Sequence, residues 1–422
     1  MSAVSVKLGD VVDFQTGFPF KSKDYSKDGQ GLKLLRGDNI GQGFLRWETA
    51  KYWPEPLANE LSQYHLKEGD VVLAMDRPWI EAGLKYSAVS KDDLPSLLVQ
   101  RVARFRETEK LSAGYLRYLI GSQGFTEHVH NISTGSVVPH ISGGNILEFE
   151  FELPSIETQR EIAATLGVLD DKIEVNRKTA ATLEEMARAL YRSWFVDFDP
   201  VHAKASGRAP AHMDAATAAL FPDSFDAEGL PTGWEDSTIG RELLILDSKR
   251  IPLSKAQRLE RQGDIPYYGA TSVMDHVDDH LFDEVLLLVG EDGSVADGEG
   301  KPFTQYIWGK SWVNNHAHVL KGKRFSVEQL KCLFDATEIS AFITGAVQLK
   351  LNQGNMKKIP YVFAGEAVHS RFDELISPWF EKVRQLSEEN KTLAALRDTL
   401  LPRLMSGELR VGEAREQVEA VA

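Results

Sequence analysis

A single cysteine, Cys332, leaves no internal disulfide to staple the chain, and its scarcity fits a reducing compartment, so a cytoplasmic location is expected. No run of eighteen apolar residues occurs, which excludes a membrane-spanning helix of ordinary length. The amino terminus carries no basic stretch followed by an apolar core, the mark of a signal peptide. Cations are short as well: 48 Lys and Arg against 62 Asp and Glu leave a formal charge of −14. Phosphate binding wants a basic face, so a chain of this charge should hold DNA weakly alone, with partners supplying much of the clamp. The rest, with 42% apolar and 26% charged residues over 422 positions, is the ordinary composition of two or three folded domains.

Catalytic signatures are scarce too. Gly298-Glu299-Gly300-Lys301-Pro302 lacks the glycine five residues before Gly300 and has proline where a phosphate loop needs Ser or Thr. His276 with His280, and His316 with His318, are spaced as metal ligands could be, but no thiolate accompanies them and such pairs are usually surface histidines. Pro222-Asp223 followed by Asp247-Ser248-Lys249 fits a loose nuclease pattern, Pro-Asp and then acid-x-Lys, whose first half falls in a segment that reads as linker. There is no Asn-Pro-Pro-aromatic tetrapeptide to grip an adenine, and no glycine-rich loop after a strand to hold S-adenosylmethionine. The chain itself is expected to be non-catalytic, without a metal and without a cofactor of its own.

What the sequence has is a repeat at a fixed interval of 210 residues. Thr134-Gly135-Ser136-Val137, Ile141 and Gly144-Asn145-Ile146 return as Thr344-Gly345-Ala346-Val347, Leu351 and Gly354-Asn355-Met356. The same interval carries through the helix after each copy. Ile162, Leu166, Leu169, Ile173, Asn176, Ala180, Leu183, Ala187, Leu190 and Trp194 alternate by four and three, and adding the interval gives Phe372, Ile376, Trp379, Val383, Leu386, Asn390, Leu393, Arg397, Leu400 and Leu404. That alternation is a coiled-coil seam. Each helix is the obvious partner of the other, so an antiparallel pair within one molecule is expected, with Asn176, Asn390 and Arg397 weakening the seam and fixing its register.

Four segments follow from these signals. Residues 1–153 form a first globular unit, with strand-like runs at 71–74, 99–105 and 149–153 and a short helix near 112–120. Residues 154–204 hold the first long helix, over 155–196, started by Pro154-Ser155 with Glu157 and Glu161 at its positive end. At 1.5 Å per residue such a helix is roughly 60 Å long. Residues 205–363 contain a linker and a second unit, the loop-like stretch reaching back to 197 and forward to 236, with strands at 285–289, 304–308 and 317–320. Residues 364–422 hold the second long helix, over 366–405, with Pro378 and Pro402 expected to kink or break it and a frayed polar tail after Val411. The fold class is α+β: two similar units joined by two long helices in a pseudo-two-fold repeat.

Binding signals are richer than catalytic ones. Lys21, Lys23 and Tyr25 interleave cations with an aromatic in a Gly-flanked loop, a mix suited to phosphates and base edges. Arg36 and Asn39 offer a fork donor and an amide, the types that read guanine and adenine. Arg77 and Trp79 follow an apolar strand and should project from a loop tip. Arg101, Ser136 and His140 complete the first set. The second unit offers Lys249, Arg250, Tyr267, Tyr268, Asp292, Ser294, His316, Lys350 and Asn352, with the Glu291–Ser294 loop in the place that Arg77 has in the first. Singly, each reads as a solvated surface loop. Paired positions bearing different residues fit one scaffold that reads two sequences.

The stretch Leu153-Pro154-Ser155-Ile156-Glu157-Thr158-Gln159-Arg160-Glu161-Ile162-Ala163, continued by Leu169-Asp170-Asp171-Lys172-Ile173 and ending in Trp194-Phe195-Val196-Asp197-Phe198-Asp199-Pro200, resembles the central conserved region of type I restriction-modification specificity subunits. Leu400-Leu401-Pro402-Arg403-Leu404-Met405-Ser406-Gly407-Glu408-Leu409 is similar to that family's carboxy-terminal region. The resemblance implies two target-recognition domains, each docking one half of a bipartite double-stranded DNA site, and a coiled coil that sets the unread gap. It also implies two methyltransferase subunits using S-adenosylmethionine to methylate one adenine per half-site, and two motor-nuclease subunits using ATP and magnesium. Two other readings stay open: an autonomous nuclease built on Asp223, Asp247 and Lys249, and a coiled-coil scaffold that never touches DNA.

Overall fold

The computed structural model describes residues 4–80, 83–133, 139–345 and 348–421. It divides into two units, the first made of residues 1–175 and 389–422, the second of residues 176–388. Each unit therefore owns half of each long helix.

The first unit is built on an antiparallel sheet in the order Asp13–Thr16, Val102–Arg106, Val71–Ala74, Tyr86–Ala88. Val71-Val72-Leu73-Ala74 is buried throughout because successive side chains feed different cores. Val71 and Leu73 join the helices Ala113–Ile120 and Gln123–Ile132, whereas Val72 and Ala74 join Leu35, Leu98 and Val102 on the other face. There a smaller sheet carries Leu32–Leu35 between antiparallel Lys51–Trp53 and parallel Ser96–Leu98. A ribbon of Val4–Lys7 with Glu150–Leu153 brings the chain to the first long helix.

The second unit repeats this plan, with one extra strand, Phe282–Asp283, on its smaller sheet. Its sheet runs Leu243–Ile245, Ala317–Gly322, Leu286–Gly290, Thr304–Ile307, again antiparallel throughout. Its smaller sheet holds Gln262–Tyr268 between antiparallel Val273–Val277 and parallel Lys310–Val313. Its ribbon pairs Glu235–Thr238 with Pro360–Phe363. The sequence repeat covers only the loop and helix at the end of each unit, but the topology repeats across the whole.

The long helices run Ile156–Phe195 and Glu366–Met405. At the start of the first, the Ser155 hydroxyl accepts the Thr158 N–H (3.2 Å). Gln159, nearly fully buried, donates to the Pro154 and Lys110 carbonyls and accepts from the Ser112 N–H (3.0 Å), fastening the helix to its own unit. Phe198, in the left-handed region (φ 52°), ends it. In the first unit Ile162, Leu166, Leu169 and Ile173 share a core with Leu393, Leu400 and Leu404, and Asp170 meets Arg397 (2.8 Å). In the second, Tyr191 and Trp194 pack on Phe372 (centroids 5.7 and 5.6 Å) and Phe195 on His369. Residue numbers rise along one helix as they fall along the other, so the pairing is antiparallel in each unit.

Three expectations are corrected. The second helix runs through Pro378 and Pro402 without a break. A mid-helix proline costs about 3 kcal/mol, and burial of Ile376 and Phe380 beside Pro378, at about 2–3 kcal/mol each, offsets it. The stretch 197–236 is no open linker: helices Asp199–Ala205 and Ala215–Ala219 lie in it, and Val201, Phe221 and Trp234 are core residues of the second unit. The tail after 410 is a helix, Val411–Glu419, whose Ala414 and Val418 cap the core of the first unit. The apolar pair is spaced by four, a signal that the polar composition hid.

Candidate nucleic-acid interface

In the first unit the central strand ends at Ala74, and the next three residues are held from two sides. The Met75 N–H donates to the Arg101 carbonyl (2.9 Å), the Ile141 N–H to the Met75 carbonyl (2.9 Å) and the Arg77 N–H to the Pro139 carbonyl (2.8 Å). Asp76 sits at the centre of this knot. One carboxylate oxygen faces His140 Nδ1 (2.5 Å) and the other takes the Arg101 guanidinium. Partial burial alone would raise the Asp76 pKa, but the hydrogen bonds and charges of Arg101 and His140 outweigh it and hold the carboxyl below the usual range. Arg77 is exposed, and both Arg77 (φ 45°) and Arg101 (φ 68°) lie in the left-handed region that glycine favours. Trp79 turns its edge to His130 (5.9 Å) at the mouth of an open cavity.

The second unit builds the same knot from other side chains. The Glu291 N–H donates to the His316 carbonyl (2.8 Å), Leu351 N–H to the Glu291 carbonyl (2.9 Å) and Gly293 N–H to the Leu349 carbonyl (2.9 Å). Asp292 therefore stands where Asp76 stands, His316 where Arg101 stands, Lys350 where His140 stands, and Gly293 (φ 74°) where Arg77 stands. His316 Nδ1 reaches Asp292 (2.6 Å), as Arg101 reaches Asp76. Lys350 differs: it turns to Glu291 (3.3 Å).

Beneath this second knot lies a buried ionic network. Arg250 donates to Glu291 (2.8 Å) and to the Ala317 carbonyl (2.6 Å), and stands 3.5 Å from Asp247. Asp247 also accepts from His318 Nδ1 (2.6 Å), the Val319 N–H (2.9 Å) and Gln353 (2.7 Å). Burial alone would raise its pKa, and these donors with Arg250 reverse the shift. Asp247, Glu291 and His318 cluster as metal ligands could. Here Arg250 already supplies the positive charge, and His318 spends its second ring nitrogen on the Leu351 carbonyl (2.7 Å). Asp247, which the nuclease pattern needs as a metal-holding acid, is thus committed to the fold.

The other candidates separate into surface and interior. Lys21, Lys23, Lys249, Ser294 and Lys350 are exposed, and Tyr25 and Tyr268 half-buried. Arg36 pairs with Asp38 (3.2 Å). Three candidates are corrected because their polar atoms are spent inside, and a fourth, the half-buried Asn352, has its side-chain oxygen taken by a helix cap. Asn39 is buried, accepting the Arg36 N–H and donating to the Arg46 carbonyl (both 3.0 Å). Tyr267 is 1% exposed, its hydroxyl accepting the Leu253 N–H (2.9 Å). Arg250 belongs to the ionic network. Asn352 caps the helix Gln353–Met356, accepting the Asn355 N–H (2.9 Å), as Ser142 accepts the Asn145 N–H in the first unit. Ser136 lies outside the described residues. Sequence reasoning missed Asp76, the centre of the first knot. Its one signal is position: Asp76 and Asp292 each stand two residues beyond the end of an apolar central strand.

No helix among the described residues is long and apolar enough to cross a membrane. A family model described as the type I restriction modification DNA specificity domain matches residues 3–185. The type I restriction enzyme MjaVIII specificity subunit of Methanocaldococcus jannaschii is 36% identical over 186 residues, 44% of this chain and 43% of that protein. The chain thus spans less than half the length of that relative. The MjaIX specificity subunit of the same organism is 25% identical over 376 residues, 85% of this chain and 82% of that protein. Among solved structures, the S subunit of a type I restriction-modification system from M. genitalium aligns with 95% of this chain and 96% of its own at a TM-score of 0.48 and 15% identity.

Proposed function

For a chain that belongs to the family of type I restriction-modification specificity subunits, we propose a division of labour between its two units. Each binds one half of a bipartite double-stranded DNA target, and the bases between the halves go unread. The observation that supports this is the pair of knots: one backbone scaffold, fixed by equivalent hydrogen bonds, displays Arg77, Arg101 and His140 in one unit and Gly293, His316 and Lys350 in the other. A duplicated frame with divergent tips suits two different half-sites; a duplicated scaffold for identical partners would keep its tips alike.

The two long helices set the unread gap and carry two methyltransferase subunits on their outer faces. Those partners bind S-adenosylmethionine and methylate an adenine in each half-site, extracted from the base stack. Two further subunits, using ATP and magnesium, translocate and cut unmodified DNA. This chain is the non-catalytic reader of the complex and works in the cytoplasm. Its net charge of −14 fits a reader that holds DNA firmly only with partners closed around the duplex.

The test is co-expression with a partner methyltransferase subunit, followed by mapping of methylated adenines by long-read sequencing. A split motif with two specific halves and a constant gap is expected. A continuous motif would remove the two-reader model, and no methylation by an intact, cofactor-loaded complex would remove DNA recognition itself.

A further inference from the structure

We infer that Arg77 reads a guanine in the half-site bound by the first unit, an inference that rests on the DNA-recognition reading above. The starting point is a backbone oddity. Arg77 has φ 45°, where an L side chain crowds its own carbonyl and glycine does not. The equivalent place in the second unit is held by Gly293, with φ 74° and the same hydrogen bond from its N–H to the facing loop. The fold therefore accepts glycine at this place, and the first unit keeps an arginine there against the conformational preference. Such residues cluster at binding and switch sites, which makes Arg77 a candidate whose surroundings must then decide.

The surroundings say which task. The stem is fixed: the Arg77 N–H is bonded to the Pro139 carbonyl, the flanking Ile141 N–H to Met75, and the Lys85 N–H to the Pro78 carbonyl (2.7 Å). The head is free: Arg77 is exposed and its guanidinium makes no ion pair among the described residues. Arg101 beside it is the contrast, also strained (φ 68°) but spent on Asp76, which leaves it the role of holding the knot. A rigid stem with an uncommitted planar fork matches bidentate hydrogen bonding to O6 and N7 of guanine in the major groove. A phosphate contact would need neither the strained stem nor the fork, since flexible exposed lysines such as Lys21 and Lys23 supply it.

The experiment uses the full complex with its methyltransferase partner and duplexes carrying the mapped target, in which each guanine of the first half-site is replaced in turn by 7-deazaguanine. The wild-type complex should lose roughly three- to tenfold affinity at one guanine, because 7-deazaguanine removes the N7 acceptor and leaves O6, about half of one bidentate contact. The Arg77→Ala and Arg77→Gly complexes should bind the natural site less tightly and show no further loss at that guanine. Their methylation motif should relax at that one position and stay unchanged in the other half. Arg77→Gly should also melt no lower than wild type, so that the loss of reading cannot be laid to misfolding. An undiminished 7-deazaguanine effect in the variants, an unrelaxed motif, or a first half-site without guanine overturns the inference while leaving a bipartite motif intact. A wild-type complex with no bipartite motif overturns the recognition reading beneath it.

Discussion

His369, near the start of the second long helix, is 2% exposed, and three aromatic rings are stacked around it. Phe195 of the first long helix lies parallel at 4.8 Å, and Phe325 and Phe363 of the second unit's globular part at 4.3 and 5.2 Å. Its Nε2 accepts the Ala364 N–H (3.2 Å), so the ring proton belongs on Nδ1, and the Gln329 amide 3.1 Å away accepts it when turned to present its otherwise unpartnered oxygen. A second proton would displace the Ala364 bond and place a charge among the rings. Burial is the main cause that lowers the His369 pKa, to about 3; Glu242 pulls the other way and Arg324 adds to the depression. The unfolded chain takes up this proton near pH 6.5, the folded chain only near pH 3, so stability is fully present above 6.5 and declines as pH falls between those values. At pH 5 the loss from this one group is about 2 kcal/mol relative to pH 7.5, and it stays about 2 kcal/mol for any folded pKa below 4. Urea unfolding at both pH values, for the wild type and for His369→Phe, isolates the effect, because the other titrating groups cancel in the difference. The substitution should shrink the pH dependence by about 2 kcal/mol. Equal pH dependence in both proteins would refute the burial argument.

Four further outcomes set buried groups against an exposed one. Arg397→Met removes one of two cations from Asp170, whose side chain is 7% exposed and keeps Arg117 and Tyr118, and should cost about 1–2 kcal/mol by denaturant titration. Arg250→Ala leaves Asp247 and Glu291 facing one another and should cost about 3 kcal/mol in the same assay. Lys249→Ala, on an exposed side chain next door, should leave stability within about 0.5 kcal/mol and weaken DNA binding by the complex evenly across sequences. If the two variants behaved alike, the separation of interior from surface cations would be wrong. Cys332, its thiol pushed up to about 12 by burial, should ignore a thiol reagent at pH 8 in the native protein and react fully in urea.

The long helices were legible in the sequence because their signals are local. A four-three alternation and a Pro-Ser start act within a few residues of one another, and the expected bounds agree with Ile156–Phe195 and Glu366–Met405. The repeat was legible where it serves packing: Ile146 and Met356 are both fully buried in their units, so drift there is restrained. The sheets were legible as apolar runs but not as a duplicated topology, since the pairing of Leu32–Leu35 with Ser96–Leu98 joins segments about sixty residues apart.

The candidate site divides the same way. Residue type and loop position singled out Arg77, Arg101, His140, Asp292, His316 and Lys350, and the fold gathers them into two equivalent knots. Type and position misjudged Asn39, Tyr267 and Arg250, because whether a polar side chain faces solvent or satisfies a buried group depends on what folds over it. Asp76 was passed over for the converse reason. A lone aspartate after a strand says little until Arg101 and His140 arrive from distant parts of the chain. Sequence alone thus determined the helices and the fact of duplication, whose causes lie within a few turns of one segment. Tertiary structure alone decided which charges are buried and which remain free, because burial and ion pairing are made by segments that meet only when the chain has folded.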